Sequence, residues 1–221
     1  SKMNIQYQKL KDILGDRLKE NEVLAPYTTF KIGGPADLFY DAKTVDELVL
    51  AIVSARKLDI PVWVLGGGSN ILIGDKGIGG LVVKNSSSRI FLRGMKGTLK
   101  GGESSGNVFV EADTGVIMNK FVRFTAEEGL AGLEMHLGLP GTVGGAIYMN
   151  SKWTHPEGYV GDVVYQAEIL SAKNDRQMVP KSYFQFGYDS SSIQNTGDIV
   201  LRVVFALRQG NKEKLWESAN A

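Results

Sequence analysis

Two glycine-rich segments constrain this 221-residue chain more than any other feature of its sequence. The first reads GGGSN at 66–70 and directly follows an apolar run, PVWVL, at 61–65. The second reads GLPGTVGGA at 138–146. Consecutive glycines let a backbone approach a ligand closely and aim several N–H groups at an anion. Two such segments in one small chain predict a dinucleotide that is held from two sides.

Neither segment matches a common phosphate-binding motif. The first lacks the Gly-Lys-Ser/Thr of a P-loop, and Ile71 stands where a Rossmann fingerprint needs its third glycine. Taken alone, a glycine triplet is as often a simple turn as a ligand-binding loop, although the side chains of Ser69 and Asn70 favour a ligand. The second segment has an alternative interpretation as a tight connection whose glycines serve unusual backbone angles. Further pairs of small residues could approach the same ligand: Thr28-Thr29, Gly33-Gly34 and Thr114-Gly115.

Composition excludes several classes of function. The net charge of +1 gives no global attraction to nucleic acid or an anionic membrane. The absence of cysteine and the presence of only two histidines argue against disulfides, thiolate chemistry and a metal site. No signal peptide and no run near 18 apolar residues is found. We therefore expect a cytoplasmic protein with no metal, no nucleic-acid partner and no membrane association.

Hydrophobic periodicity predicts an α/β lobe over residues 1–84. Apolar positions over 5–21 predict an amphipathic helix, and the TVDE capping box at 44–47 begins a second one. Short strands are predicted at 37–41, 61–65 and 80–84. The first glycine segment then lies at the carboxyl end of a strand, where α/β sheets usually bind ligands.

A second lobe is predicted over 85–210. It begins with a loop or hairpin rich in Ser, Gly and Lys at 85–107. A strand at 107–112, a helix at 116–128 ended by Gly129, and strands at 163–170 and 198–207 follow. Residues 211–221 begin a connecting helix. His136 is interpreted as a packing or surface histidine, whereas Trp153 and His155 either cover a ligand or pack against the protein.

Four motifs resemble the flavin-dependent UDP-N-acetylenolpyruvoylglucosamine reductases (UDP-N-acetylmuramate dehydrogenases, MurB) of bacterial cell-wall synthesis. They are YTTFKIGGPAD at 27–37, LGGGSNIL at 65–72, GLAGLE at 129–134, and GLPGTVGGA at 138–146 with Asn150 after it. Their order and spacing follow the family over residues 20–210. The resemblance implies an α+β or α/β fold, with two FAD-binding lobes of the vanillyl-alcohol-oxidase (PCMH) type and a third, substrate-binding lobe.

The resemblance also implies the cofactors and the chemistry. FAD would lie non-covalently between the first two lobes, with its pyrophosphate at Gly66–Asn70 and Gly141–Gly145. NADPH would reduce the flavin, and the flavin would pass hydride to the enolpyruvyl double bond of a UDP-sugar. The implied cofactor-binding residues are Thr28, Thr29, Gly66, Gly67, Gly68, Ser69, Asn70, Thr114, Gly115, Gly138, Pro140, Gly141, Thr142, Gly144, Gly145, Asn150 and Ile199.

Two departures from the family bear on turnover. Asp189, in FGYD at 186–189, stands where the family has an arginine that pairs with the substrate carboxylate, and a negative charge there would oppose an enolate. The third lobe, with the family's catalytic serine and glutamate, would begin where the chain ends at Ala221. A missing general acid costs about 10²–10⁴ in rate. No catalytic residue is therefore assigned in this chain.

Three hypotheses follow. The favoured one is a truncated FAD-binding portion of a reductase, inactive as it stands and completed by a missing lobe or a partner chain. The second is a naturally short flavin- or nucleotide-binding module without catalysis, which Asp189 favours. The third is a different flavin oxidoreductase on the same fold.

Overall fold

The chain divides into two units between Ser87 and Ser88. The predicted lobe boundary lay between residues 84 and 85. The computed structural model describes residues 2–28, 33–66, 77–96, 99–100, 103–104, 106–154 and 157–220. In these ranges no helix has the length and apolar character needed to cross a bilayer.

Within its described residues, the first unit has a four-stranded mixed sheet and two α-helices. Its strands lie in the order β1-β2-β4-β3, in which β2, β4 and β3 are parallel and β1 is antiparallel to β2. The elements are α1 Lys2–Leu14, β1 Lys19–Val23, β2 Pro35–Ala42, α2 Val45–Lys57, β3 Val62–Leu65 and β4 Ile78–Asn85.

Helix α2 begins where the capping box predicts. The Thr44 side chain accepts a hydrogen bond from the Glu47 N–H at 3.1 Å, which satisfies one of the unpaired donors of the first turn. The helix buries one face, including Leu48 and Ile52, and packs against β2 and β4. Leu81, Val82 and Val83 of β4 are consecutive buried residues, as expected of a parallel strand covered on both faces.

The predicted helix over 5–21 is wrong in its second half. Helix α1 ends at Leu14, because Gly15 adopts a left-handed conformation with φ of +76°. Residues Lys19–Val23 instead pair with β2 as strand β1. Two of the apolar positions in that helical pattern, Ile5 and Ile13, are 59% and 48% exposed.

The second unit is a six-stranded antiparallel sheet with helices packed on one face. The main strands lie in the order β13-β12-β14-β8-β5, and β9 pairs with the end of β14. The strands of the whole unit, including four that lie outside this sheet, are β5 Ile90–Lys96, β6 Leu99–Lys100, β7 Glu103–Ser104, β8 Asn107–Asp113, β9 Leu130–Ala131, β10 Lys152–Thr154, β11 Glu157–Tyr159, β12 Val164–Leu170, β13 Arg176–Pro180 and β14 Ile199–Gln209. The helices are α3 Met118–Glu127, α4 Val143–Met149, α5 Ile193–Thr196 and α6 Lys212–Ala219.

The core of this unit lies between the sheet and helices α3 and α4. Alternate residues of β8, namely Val108, Val110 and Ala112, point into it. On α3, Phe121 is fully buried, and its ring lies 5.1 Å from that of Phe205 on β14. Helix α4 packs against both β8 and β14. This arrangement places the start of α4 beside the carboxyl end of β8.

Most elements predicted for the second unit are present, with three differences. The helix predicted over 116–128 begins two residues later, at Met118, because the Val116 carbonyl and the Met118 N–H bond to Val143 and Gly141 instead. Strand β5 forms within the segment 85–107, which was predicted as a loop or hairpin, and it pairs with β8. Residues 152–154 and 157–159 form the paired strands β10 and β11, which the sequence did not predict. Gly129 has the positive φ, +69°, that its predicted position after a helix requires.

Candidate cofactor site

The second glycine segment is part turn and part helix, whereas the sequence predicted a loop. Thr142 is the N-cap of α4, and its hydroxyl accepts a hydrogen bond from the Gly145 N–H at 3.2 Å. Threonine is a preferred N-cap residue because its oxygen satisfies a donor of the first turn. Gly144 and Gly145 therefore lie in the first turn of a helix, and Gly144 is buried there.

The amides of that first turn are already bonded within the protein. The Val143 N–H donates to the Val116 carbonyl at 2.8 Å, and the Gly144 N–H donates to the Thr114 carbonyl at 3.0 Å. The Gly145 N–H is held by Thr142, as described above. An anion at this segment would therefore meet groups that precede the helix, such as the exposed backbone at Gly141.

Gly138 and Gly141 are open to a ligand. Their φ angles are +95° and +87°, and a Cβ added at either would meet no atom within 4 Å. Pro140 between them is exposed as well. Other glycines have a different role, since a Cβ on Gly161 would lie 2.5 Å from Asn150 Oδ1. Gly138 and Gly141 thus combine a backbone conformation that favours glycine with clear space on the solvent side.

Thr114 connects this segment to the start of β14. Its hydroxyl donates to the Val200 carbonyl at 2.8 Å, its N–H donates to the Leu201 carbonyl at 3.1 Å, and its own carbonyl accepts from Gly144. The structure therefore brings Thr114 and Gly144 together, beside the first residues of the strand that begins at Ile199. Because Thr114 is fully buried and its hydroxyl serves the protein, its side chain positions the segment.

Asn150 holds the other end of α4. It is buried, has a φ of +48°, and is the C-cap residue of the helix. Its Nδ2 donates to the Gly187 carbonyl at 2.8 Å, and its Oδ1 accepts from the Gly161 N–H at 3.0 Å. These bonds fix the turn that contains Asp189 relative to α4.

Asp189 is paired with a lysine that the sequence interpretation missed. The Lys152 Nζ lies 3.3 Å from Asp189 Oδ1 and 3.4 Å from the centroid of the Tyr188 ring. Interactions with Tyr188 and then Asp189 raise the pKa of the Lys152 ammonium, against the opposing effect of desolvation. The negative charge that replaces the expected arginine is thus offset locally. The sequence feature that could have drawn attention to Lys152 is the bulky, charged character of residues 151–157.

His136 packs inside the second unit, which is one of the two alternatives, packing or surface, that the sequence left open. It is 3% exposed, and in the described part of the chain its Nδ1 has no hydrogen-bond partner. Burial lowers the pKa of the imidazole, while the charges of Asp162 and Glu134 act in the opposite direction. The His136 carbonyl accepts the Leu139 N–H at 3.1 Å, so this buried residue adjoins the glycine segment.

In the first unit only the flanks of the predicted site are described. Gly66 follows β3 with a φ of +86°, and Thr28 donates its hydroxyl to the Ala25 carbonyl at 3.2 Å. Trp153 pairs with Gly158 in the β10–β11 hairpin of the second unit. Six of the residues singled out from the sequence lie outside the described ranges: Thr29, Gly67, Gly68, Ser69, Asn70 and His155.

Comparisons with known proteins show the family to which the chain belongs. Residues 36–176 match the family described as FAD binding domain. The UDP-N-acetylenolpyruvoylglucosamine reductase of Caldanaerobacter subterraneus subsp. tengcongensis is 36% identical over 213 residues, which cover 96% of this chain and 66% of that protein.

The likeness to solved structures shows the fold. The crystal structure of UDP-N-acetylenolpyruvylglucosamine reductase (MurB) from Thermus caldophilus has a TM-score of 0.68 and 29% identity, covering 92% of this chain and 67% of that one. p-Cresol methylhydroxylase, at 15% identity, has a TM-score of 0.58, covering 95% of this chain and 44% of that one. The predicted α+β FAD-binding fold of the vanillyl-alcohol-oxidase (PCMH) type is thereby confirmed. The chain belongs to the FAD binding domain family and, within it, to the UDP-N-acetylenolpyruvoylglucosamine reductases, spanning about two thirds of the length of its relatives.

Proposed function

We propose that this chain binds FAD non-covalently as the cofactor-binding portion of an NADPH-dependent UDP-N-acetylenolpyruvoylglucosamine reductase of cytoplasmic peptidoglycan synthesis. The names of its relatives support the substrate, a UDP-sugar that bears an enolpyruvyl group. In such a reaction FAD, when bound, supplies hydride transfer between NADPH and the enolpyruvyl double bond.

The pair of open glycines carries the FAD assignment. Gly138 and Gly141 leave space at their solvent side, and both have backbone angles that favour glycine. A pyrophosphate could approach the backbone there more closely than any side chain would allow. The buried Thr114 and the N-cap Thr142 hold the segment in place by accepting hydrogen bonds from the N–H groups of its two following glycines, at 144 and 145. The residues present therefore fit the central part of a dinucleotide.

The chemistry of the site favours binding through the backbone. Residues 114–119 and 137–149 contain no charged side chain. Backbone N–H groups at unusual turn angles form anion-binding concavities without a formal charge. In this proposal Gly141 contributes the N–H nearest the pyrophosphate. Thr114 and Thr142 position the segment that contains Gly141.

The FAD proposal is tested by the visible absorption of freshly purified protein, followed by heat release and identification of the chromophore. A yellow protein that releases FAD is the expected result. A colourless protein that also fails to bind added FAD would contradict the proposal. If the released molecule is FMN, the dinucleotide part of the assignment fails.

A second candidate function is an FAD-binding module without turnover, and the ion pair of Lys152 with Asp189 favours it. The resemblance puts an arginine that pairs with the substrate carboxylate at position 189, whereas this chain has an aspartate that is already paired with Lys152. A neutral pair stabilises a developing enolate less than a free positive charge does. We accordingly expect little or no turnover by this chain.

The two candidates differ in an NADPH oxidation assay. FAD-loaded protein is supplied with UDP-N-acetylenolpyruvoylglucosamine, and NADPH consumption is followed with and without the substrate. Substrate-dependent consumption would reject the module without turnover. If FAD is bound but consumption does not depend on the substrate, the FAD assignment is unaffected, and the same assay is repeated on protein expressed from a longer reading frame. Restored consumption would then indicate the reductase portion, and continued inactivity the module.

A further inference from the structure

Ile117 is an exposed aliphatic residue at the edge of the candidate site. It is 58% exposed, although its neighbours Val116 and Met118 are 2% and 0% exposed. Its backbone forms an isolated antiparallel bridge with Thr142. The flanking bonds join the Met118 N–H to the Gly141 carbonyl at 2.9 Å and the Val143 N–H to the Val116 carbonyl at 2.8 Å. Ile117 is therefore fixed beside the open turn at Gly141.

The position is also unfavourable for isoleucine by the rules of helix formation. Ile117 is the N-cap of α3, and its carbonyl accepts the first intrahelical bond, from the Phe121 N–H at 3.0 Å. The N-cap prefers residues whose side chain accepts a hydrogen bond, which an isoleucine cannot do, and this helix has no side-chain cap. A residue that disfavours the local structure and also exposes apolar surface is the kind of local inconsistency that occurs at functional sites.

The surroundings match the composition of a ligand site. Pro140 and Gly141 are exposed next to it, and the segments 114–119 and 137–149 carry no charge. Small-molecule sites are lined mainly by apolar side chains, with a few polar backbone groups that fix orientation. Ile117 would supply the apolar surface and Gly141 the polar backbone group.

We propose that Ile117 packs against a ring of the FAD molecule whose pyrophosphate lies at Gly141. The inference rests on the proposed FAD binding and goes beyond it, because it assigns an apolar contact outside both glycine-rich segments. It also explains why a capping residue is missing from α3.

The test compares Ile117→Thr with Ile117→Val, two side chains of nearly equal shape. Threonine has a hydroxyl in place of one methyl group, so it makes a poorer apolar contact and a better N-cap. FAD affinity is measured by flavin fluorescence titration of the cofactor-free proteins. Their thermal unfolding midpoints are measured in parallel, without FAD.

We expect the Thr variant to bind FAD at least about fourfold more weakly than the Val variant, as for the loss of one buried methyl group. Without FAD, the Thr variant should unfold at the same or a higher temperature, because it caps α3. Equal affinities, or a Thr variant that unfolds at a lower temperature than the Val variant, would overturn the inference. Absence of FAD binding by the parent protein would instead overturn the proposed function.

Discussion

At the scale of residues, Gly141 and Gly15 form a matched pair. Both have positive φ, at +87° and +76°, and a Cβ added at either would meet no atom within 4 Å. They differ in location, since Gly15 ends α1 in the first unit and Gly141 lies in the turn proposed to meet the pyrophosphate. The same substitution at the two positions therefore separates backbone strain from loss of ligand space.

We predict that Gly141→Ala and Gly15→Ala each lose about 1–2 kcal/mol of unfolding free energy, the cost of a left-handed conformation for an L-residue. Only Gly141→Ala should weaken FAD binding, because its methyl group occupies the space next to the backbone. Denaturant unfolding and flavin titration of both variants provide the measurements. An equal effect of the two substitutions on FAD affinity would refute the placement of the pyrophosphate.

His136 gives a prediction of pH dependence. Burial holds its pKa below the usual value of 6.5. A group with a lowered pKa in the folded state stabilises the fold fully above its unfolded pKa, and this contribution is lost as the pH falls below that value. The parent should therefore lose stability between pH 7.5 and 5.5, with a slope of at most about 1.4 kcal/mol per pH unit from this group.

The control is His136→Leu, which removes the titrating group and keeps an apolar side chain in the buried position. Urea unfolding of both proteins at the two pH values isolates the contribution of His136. We expect a smaller loss in the variant. An identical loss in parent and variant would show that the pH dependence comes from other groups.

At the scale of elements, α4 is fixed at both ends by side chains. Thr142 caps its N-terminus, and Asn150 joins its C-terminus to two other segments. A seven-residue helix that contains two glycines has little intrinsic stability. Its conformation therefore depends on these caps and on its packing against β8 and β14.

Replacement of Asn150 by alanine should destabilise the protein by about 2–3 kcal/mol, because it leaves the Gly161 N–H and the Gly187 carbonyl without their partner. The control is Asn21→Ala, at an exposed residue that also has a positive φ, +52°. The Asn21→Ala variant should lose only the greater tolerance of asparagine, compared with alanine, for a positive φ. Similar unfolding free energies for the two variants would contradict the role assigned to the buried amide.

A comparison of individual elements shows which structures a local sequence pattern can predict. The capping box at Thr44 and the strands at 107–112 and 163–170 are local signals, and the structure agrees with them. Helix α4 was missed because glycines disfavour helices in isolation. Strand β1 was missed because its partner is β2, whose paired residues lie 12 to 20 positions further along the chain. The ion pair of Lys152 with Asp189 joins residues 37 positions apart in the chain, which no periodicity reveals.

At the scale of the whole molecule, charge is nearly balanced. Lys and Arg number 25 and Asp and Glu number 24, which gives a net charge of +1. The described part of the candidate site around Gly141 also lacks charged side chains. An anionic cofactor would therefore be held mainly by backbone groups, without a strong long-range field to attract it.

We accordingly predict that FAD affinity changes by less than about twofold between 50 and 500 mM NaCl, since salt mainly screens interactions between exposed charges. Flavin titration across this range, with the protein concentration held constant, gives the answer. A steep decline in affinity with salt would indicate that lysine or arginine side chains contact the pyrophosphate, contrary to the proposed backbone site.

The internal bonding of the first turn of α4 has a consequence for how a ligand associates. Val143, Gly144 and Gly145 already donate to partners within the chain, so the turn is preorganised before any ligand arrives. Binding then requires little loss of backbone entropy in this segment, and more of the contact free energy is retained as affinity. Association there should resemble docking to a rigid surface, without a folding step.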